Sequence, residues 1–528
     1  GQTYHMDIHL NVDRRLAEFY IDGKKVGQSM FYAPVHGIER VMLRTGSRRT
    51  FPDIDTPADW YGILDNAGDT DTLAIYKIAN FKTSSADEDS GAAFLKADNY
   101  KHYVDYFNNM EDENIAQAIP NAQSWEWMSK NVPLFDCPQK DFEQMWYYRW
   151  WTLRKHIEKT SVGYAMTEFL VRRNYADKYN LIASAVGHHI HESRWLRNPT
   201  YLDQIINTWF HGNDGKPMKK INAYSSWIAS SIWDRYLVDG RRDSMASLLP
   251  LLVWENNLWE NHRWADGLYW QYDVRDAMEE TISGGRREKN ARPSINSYMY
   301  GNAKAISNME SLVGNTSIAS LYQNKADSLK TLVETKLWND TASFFEVLYP
   351  NQKFAGVREA IGFLPWYFNL PSDLSRYAQA WQQAADDKGF SAPYGQTTAE
   401  RRHPAFRTHG VGECEWDGAV WPFATSQTLT AMANYINNYS NPIVNDSLYF
   451  VEMEKYVQSQ THRGKPYVGE YLDETTGYWL KGDQERSRYY NHSTFNDLII
   501  TGICGLRPRA DNILEVNPLL PSDKWDHF

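Results

Sequence analysis

The chain has 528 residues, with 55 Lys and Arg against 66 Asp and Glu, giving a net charge of -11 and a pI near 5.8. That acidic balance argues against nucleic acid or an anionic lipid surface as partner, and no apolar run approaches the ~18 residues of a membrane span. Three distant cysteines, Cys137, Cys414 and Cys504, exclude a disulfide scaffold and a paired-cysteine metal site. Aromatic residues reach 14%, which suits a large core or the stacking of sugar rings, whose C–H faces meet aromatic faces while their hydroxyls hydrogen-bond.

Residues 1–83 read as a β module. Tyr4 to Leu10 alternates in polarity, Ala17 to Ile21 follows, and Asp22-Gly23 is a hairpin signal before Lys24-Lys25-Val26. The acidic, small-residue run Ser84 to Gly91 marks a linker, and residues 84–137 form a connecting segment. From 138 to 528 the apolar period becomes helical. Phe142, Met145, Trp146, Trp150 and Leu153 share one face, as do Ile318, Leu321, Tyr322, Leu329, Leu332, Val333 and Leu337 after Asn315-Thr316-Ser317. Further helices are predicted over 181–197, 201–210, 223–238, 244–257, 296–312, 373–386, 425–436, 447–460 and 493–503, the last opened by a Thr494/Asp497 capping box. Long loops, 262–293 and 388–421, separate some of them and are of functional length. Short connections alternating with long ones describe helical hairpins closed into an α/α toroid, mainly α, with the loops gathered at one mouth.

Two loop motifs carry chemistry. Tyr269 to Gly285 places Asp273, Asp276, Glu279 and Glu280 within eight positions between aromatic residues and glycines. In a sheltered cleft they cannot all ionise, so one becomes a proton donor; on an open surface they are only a solvated acidic loop. The second motif, Tyr467 to Trp479, centres on Glu470 between glycine and tyrosine. Two carboxyl groups on opposite walls are the minimal equipment for glycoside hydrolysis, and a turn-capping or salt-bridged role is the plain alternative for Glu470.

Asp276-Ala277-Met278-Glu279, then Glu415-Trp416-Asp417-Gly418-Ala419-Val420-Trp421-Pro422, then Gly469-Glu470-Tyr471 with Thr476-Gly477, stand in the order of three motifs of glycoside hydrolase family 63 and mannosylglycerate-hydrolase-like enzymes. Arg292 to Gly301 and Gly362 to Phe368 also resemble this superfamily, and the similarity spans roughly 138–518. The resemblance implies an (α/α)6 barrel and inverting hydrolysis, with Glu279 as general acid and Glu470 as general base. The sequence departs from the family in two places. Glu279 stands where aspartate is usual, with Asp276 and Asp273 as rivals, and Asp417 replaces the arginine of a Trp-Arg-Gly pattern. The end, Gly505 to Arg509 and Asn517 to Pro521, is similar to toroidal families acting on rhamnose, fucose or arabinofuranose. The stretch His5 to Val26 resembles the central hairpin of laminin-G-like or concanavalin-like jelly rolls, incomplete as a sandwich by its length.

The expectation is therefore a secreted or periplasmic exo-acting glycosidase with a carbohydrate substrate and a pocket. The chain opens on Gly1-Gln2 with no charged and apolar leader. Trp270, Trp416, Trp421 and Trp195 are expected to wall the pocket, with Arg194, Asp417, Asn296, Tyr300 and His492 as hydroxyl partners. No cofactor is expected. Asp65 to Asp71 has a calcium-like composition without EF-hand order and reads as an Asx-rich turn. The His188, His191, Glu192 and Trp195 stripe looks metal-like but is not HExxH. Ser283 to Arg287 lacks a P-loop pattern, and no GxSxG nucleophile occurs. The rivals are a carbohydrate-binding toroid without catalysis and an isoprenoid-cyclising toroid, for which Asp273 with Asp276 is a poor Asp-rich motif.

Overall fold

A computed structural model of the chain describes residues 5–11, 16–30, 95–409 and 414–528. It divides into two units, Gly1–Phe94 and Leu95–Phe528. In the first, β1 (Met6–Asn11), β2 (Leu16–Ile21) and β3 (Lys24–Met30) form an antiparallel sheet in that order, with Met6 opposite Ile21 and Ile21 opposite Lys24. Asp22 and Gly23 both take positive φ, 49° and 75°, as a two-residue hairpin turn requires. The expected linker at Ser84 to Gly91 and the Asp65 to Asp71 loop lie outside the described residues.

The second unit is helical. It opens with α1 (Lys101–Asn109) and α2 (Ser124–Asn131), where the sequence pattern placed only a connecting segment over 84–137. Tyr103, Val104 and Phe107 on α1 and Trp127 and Met128 on α2 are buried at helical spacing, a stripe too short to stand out against its polar flanks. Then follow α3 (Lys140–Lys155), α4 (Val186–Ser193), α5 (Thr200–His211), α6 (Ile228–Asp239), α7 (Arg242–Ala246), α8 (Leu249–Leu258), α9 (Pro293–Val313) and α10 (Thr316–Leu332). The chain continues through α11 (Leu364–Tyr367), α12 (Ser375–Ala378), α13 (Gln382–Ala385), α14 (Pro422–Asn438), α15 (Asp446–Ser459) and α16 (Asn496–Leu498), which runs on as a π-helical turn to Ile503.

Packing sorts these into two layers. Among the described residues, α4, α6, α9, α11, α14 and α16 touch in a closed cycle, with α16 returning to α4. Alternating with them along the chain, α3, α5, α8, α10, the α12–α13 pair and α15 lie outside, so the unit is an (α/α)6 toroid. Close approach within the inner ring needs small residues: a Cβ on Gly187 of α4 would sit 2.2 Å from the Trp227 indole that precedes α6. Proline in the first turn starts α9 and α14, and positive-φ glycines at Gly240 and Gly314 stop α6 and α9.

The last inner helix departs from the expected local cap. The Thr494/Asp497 box does not form, and neither does a side-chain cap by Asn315 on α10. Instead the Glu192 carboxylate of α4 accepts from the main-chain N–H groups of Phe495, Asn496 and Asp497, with N–H to oxygen distances of 2.9–3.3 Å. A negative charge at a helix N-terminus is favoured by the helix dipole as well as by these bonds, and here it also locks the ring shut. Replacing Glu192 by alanine strands three buried donors and should cost about 2–4 kcal/mol, with Glu192→Gln losing less because one acceptor survives. Urea denaturation midpoints of the two variants check this.

Candidate active site

The segment between α8 and α9 carries Glu279 and is fastened at both ends. Asn296, in the first turn of α9, donates to the Tyr269 carbonyl at 2.8 Å and accepts from the Tyr269 N–H at 2.8 Å. Asp276 is wholly buried, ion-paired with Arg292 at 2.7 Å and bonded by the Ser294 hydroxyl. Ser283 donates its N–H and hydroxyl to Glu359, and Asp273 accepts from Val274 N–H and the Thr281 hydroxyl. Gly284 is obligatory in this arrangement, since a Cβ there would fall 1.8 Å from the Asp273 carboxylate. Between the anchors Ala277 and Glu280 adopt left-handed φ values of 59° and 56°, a strained backbone that tucks Met278 inward and leaves Glu279 half-buried. Asn296, expected as a sugar ligand, is thus an internal brace, and Asp276, expected as a rival acid, braces the loop through one carboxylate oxygen, its Oδ2, held by Arg292 and Ser294.

Glu470 lies on the segment after α15 and is almost wholly buried. Its carboxylate meets Arg486 at 3.2 Å and Lys481 at 3.5 Å, while the Cys414 thiol stands 3.8 Å from its other oxygen. A third carboxyl group, Glu168, accepts from Tyr490 at 2.6 Å and from Ser184 at 3.3 Å. The three are mutually felt. Burial raises Glu279 to about 7, with the Glu470 charge adding to the rise. Burial likewise raises Glu168 to about 8, with Glu279 and Glu470 contributing. The Cys414 thiol is pushed up to about 12 by burial and by the same two charges, so it stays protonated. One acid ready to give a proton, one ion-paired carboxylate and one further protonated acid therefore share a single cup.

The aromatic residues are used differently from the expected sugar platform. Trp416, Trp421 and Tyr471 form a buried stack, with ring centroids 4.4 Å and 4.6 Å apart, whose indole faces cover each other. The Trp270 ring is engaged by His262 at 4.4 Å and by the Lys289 ammonium at 4.3 Å. Arg194 and Trp195 both bind Asp497 at the end of α4 away from Ser184. Eight helical residues separate them from the cup, a rise of about 12 Å, so neither forms its wall. Tyr300 lies two turns into α9, near Asp327 and Glu334. Asp417 is fully buried beneath His409, whose Nδ1 is 2.8 Å from it. His492 does lie at the cup, beside Tyr490 with ring centroids 3.9 Å apart. Besides Tyr467, Tyr471 and Tyr490, the site's charges reach Tyr175, near Glu168, and Tyr224, near Glu168 and Glu279.

The His188, His191 and Glu192 stripe also has internal employment: Glu192 caps α16, His191 sits 3.1 Å from Asp234, and His188 packs on Trp227 and Phe423. Among the described residues no group of three or more His, Cys, Asp or Glu side chains is arranged to hold a metal ion.

Residues 178–493, more than half of the chain, match the model of the mannosylglycerate hydrolase MGH1-like glycoside hydrolase domain. The chain belongs to this glycoside hydrolase family. Residues 1–60 match a sialidase-like CBM domain. Among solved structures, one named "Sialidase" is 62% identical across 100% of this chain with a TM-score of 0.82, and the chain covers 49% of it, about half its length. A glycoside hydrolase family 63 mannosylglycerate hydrolase from Thermus thermophilus, solved with glucose, shares 14% identity and a TM-score of 0.51 over 67% of this chain and 99% of its own. A family 78 rhamnosidase from Bacillus sp. GL1 shares 10% identity and a TM-score of 0.50 over 72% of this chain and 37% of its own. These two have the same fold.

In this MGH1-like hydrolase Glu168, Lys481 and Arg486 are the site residues that sequence inspection missed. Glu168, after Gly163-Tyr164 and before Phe169, has no second carboxylate near it in the sequence, and its bond to Tyr490 spans 322 positions. Because its folded-state value is raised, the folded chain binds more protons than the unfolded chain between the ordinary glutamate value and about 8, so stability falls as pH rises through that window. Glu168→Gln should remove this loss: its thermal midpoint should match wild type near pH 5 and exceed it increasingly up to pH 8. Differential scanning calorimetry across that range measures the divergence.

Proposed function

We propose that this glycoside hydrolase acts from a chain end and inverts the anomeric centre. Glu279 gives its proton to the glycosidic oxygen as the C–O bond breaks, and Glu470 takes a proton from the water that attacks the opposite face of the sugar. After one turnover Glu279 is ionised and Glu470 protonated, and exchange with solvent restores both. The observation that carries this reading is the asymmetry of the pair. Glu279 is desolvated and raised to about 7 beside the charge of Glu470, whereas Glu470 is ion-paired with Lys481 and Arg486. Opposed environments for two neighbouring carboxyl groups are the mark of an acid and a base. Exo action is the reading that long loops over a toroid favour, since they close pockets rather than through-going grooves.

Glu279→Gln and Glu470→Gln should each lower kcat by roughly 10²–10⁴-fold without loss of fold. Aryl glycosides with a good leaving group should partly rescue Glu279→Gln, because they need no proton, and should leave Glu470→Gln inactive. NMR of the first-formed product should show the anomer opposite to the substrate; a retained anomer would refute Glu470 as a base and make it a nucleophile.

The pH dependence follows from the same pair. Glu279 acts only while protonated, so kcat/KM should fall as pH rises beyond about 7, and Glu279→Asp should move that limb. A pH–rate profile on a substrate with a poor leaving group measures it.

A further inference from the structure

A second concavity lies outside the carboxylate cup. Its volume is about 370 Å³, within the roughly 300–1,000 Å³ of small-molecule sites. It forms where the segment between α1 and α2 meets the hairpin of Ile157–Thr160 with Gly163–Met166 and the chain after Glu168. Ile115, Ala118 and Leu170 give it an apolar side, and Glu158, Arg172 and Asn180 a polar one. One wall is shared with the cup: Glu168 and Phe169 contact Tyr490, whereas Leu170 and Arg172 line the cavity. That wall is fixed in place. Asn180 donates to the Phe169 carbonyl at 2.8 Å and accepts from the Arg173 N–H at 2.9 Å, and the Gln117 amide reaches the Thr167 hydroxyl at 3.4 Å. A preformed cavity spares its ligand the cost of ordering the walls.

The polar side carries an acceptor and a donor next to each other. Arg172 Nη2 stands 3.3 Å from Glu158 Oε1, and among the described residues neither Glu158 Oε2 nor Arg172 Nη1 has a further hydrogen bond. Burial raises Glu158 against the pull of Arg172, the mark of a carboxylate with fewer donors around it than water would give. A carboxylate that accepts beside a guanidinium that donates is complementary to two adjacent hydroxyls, one donating to Glu158 and the other accepting from Arg172. A free anion would face Glu158 and a free cation Arg172, so the pair disfavours both, and Lys159, exposed at the rim, weighs further against a cation. We infer that this cavity is a second carbohydrate site, taking one sugar unit through a vicinal diol with the sugar's C–H face on Leu170 and Ile115. The site is separate from the cup and does not depend on the roles given to Glu279 and Glu470. In a glycoside hydrolase a second hold on the glycan raises the local concentration of its chain ends at the enzyme.

The test uses the full chain, as wild type and as Glu470→Gln, with hydrogen–deuterium exchange to locate each ligand and saturation-transfer NMR to rank affinities. The probes are the methyl glycosides of D-mannose, D-galactose, L-rhamnose and L-arabinose, their fully O-methylated counterparts, and acetate and phosphate. At least one glycoside should slow exchange in 115–118, 157–160 and 170–173, equally in both proteins, and its O-methylated form should not. Arg172→Ala and Glu158→Gln should each raise the ligand concentration needed for that protection tenfold or more, and Leu170→Trp, which fills the cavity, should abolish it. The Arg172 side chain is 78% exposed, so its removal should leave the thermal midpoint where it was. Tighter binding by Glu158→Gln, or protection by acetate or phosphate in place of the glycosides, identifies an anion site and overturns the inference. Equal protection by the O-methylated glycosides overturns the diol. Protection confined to the segments around Glu279 and Glu470 shows a single sugar site and overturns the second one while upholding the cup. No protection by any glycoside overturns it as well.

Discussion

Three carboxyl groups, Glu168, Glu279 and Glu470, lie within electrostatic reach of one another in a largely desolvated setting, and they cannot all be charged there. Desolvation and the neighbouring carboxylates push Glu168 and Glu279 up, while Lys481 and Arg486 stand against the Glu470 carboxylate. The chemistry depends on this unequal division. Were Glu470 without its cations, the pair would lose the difference between acid and base; Glu279 also feels Arg286 and Lys481, but burial and the Glu470 charge outweigh them. The same physics governs Asp276, only three residues from Glu279. It is more deeply buried, yet Arg292 and Ser294 hold one of its oxygens, so it braces the loop.

The barrel exists to keep that inequality fixed. Glu279 stands on an irregular loop with left-handed residues on either side, and the strain is held by anchors on two neighbouring elements: Asn296 and Arg292 at the start of α9, and Glu359 on the segment leading to α11. Closure of the inner ring brings residues 168, 279 and 470 together although they are far apart in the chain. That closure passes through one carboxylate, Glu192, spanning from α4 to the N–H groups of α16. The cup and the ring closure therefore use the same residue type for opposite ends. Glu192 is surrounded by N–H donors and serves structure, while Glu279 is surrounded by burial and like charge and serves chemistry.

Much of this was legible in the sequence, in a definite order. Helical periodicity gave the alternating hairpins, because apolar spacing on a two-layer ring is set by burial on one face. Asp22-Gly23 gave its turn, because both residues must take positive φ. Glu279 and Glu470 stood out because glycine and aromatic neighbours mark irregular, sheltered backbone. The sequence could not give height along a helix. Arg194 and Trp195 share a face with residues near the cup but lie about 12 Å further down the axis. Tyr300 is displaced along α9 in the same way. Asn296 was misread because a side-chain amide that grips main chain 27 positions earlier leaves no trace in composition. Glu168 was invisible for the related reason that Tyr490 and Glu470, which define its setting, lie more than 300 positions away.

The tryptophans teach a different lesson about carbohydrate sites. A surplus of aromatic residues suggested sugar stacking, yet Trp416, Trp421 and Tyr471 spend their faces on one another and form a rigid block beside Glu470. An indole can either stack on a sugar or hold a catalytic segment still, and a face already covered cannot do the first. In this protein rigidity is the scarcer need. The Glu470 segment lacks helical support and is held by isolated bridges, Val420 to Leu472 and Leu472 to Trp479, by the Ser487 hydroxyl that accepts the Glu470 N–H, and by the stacked rings beside it.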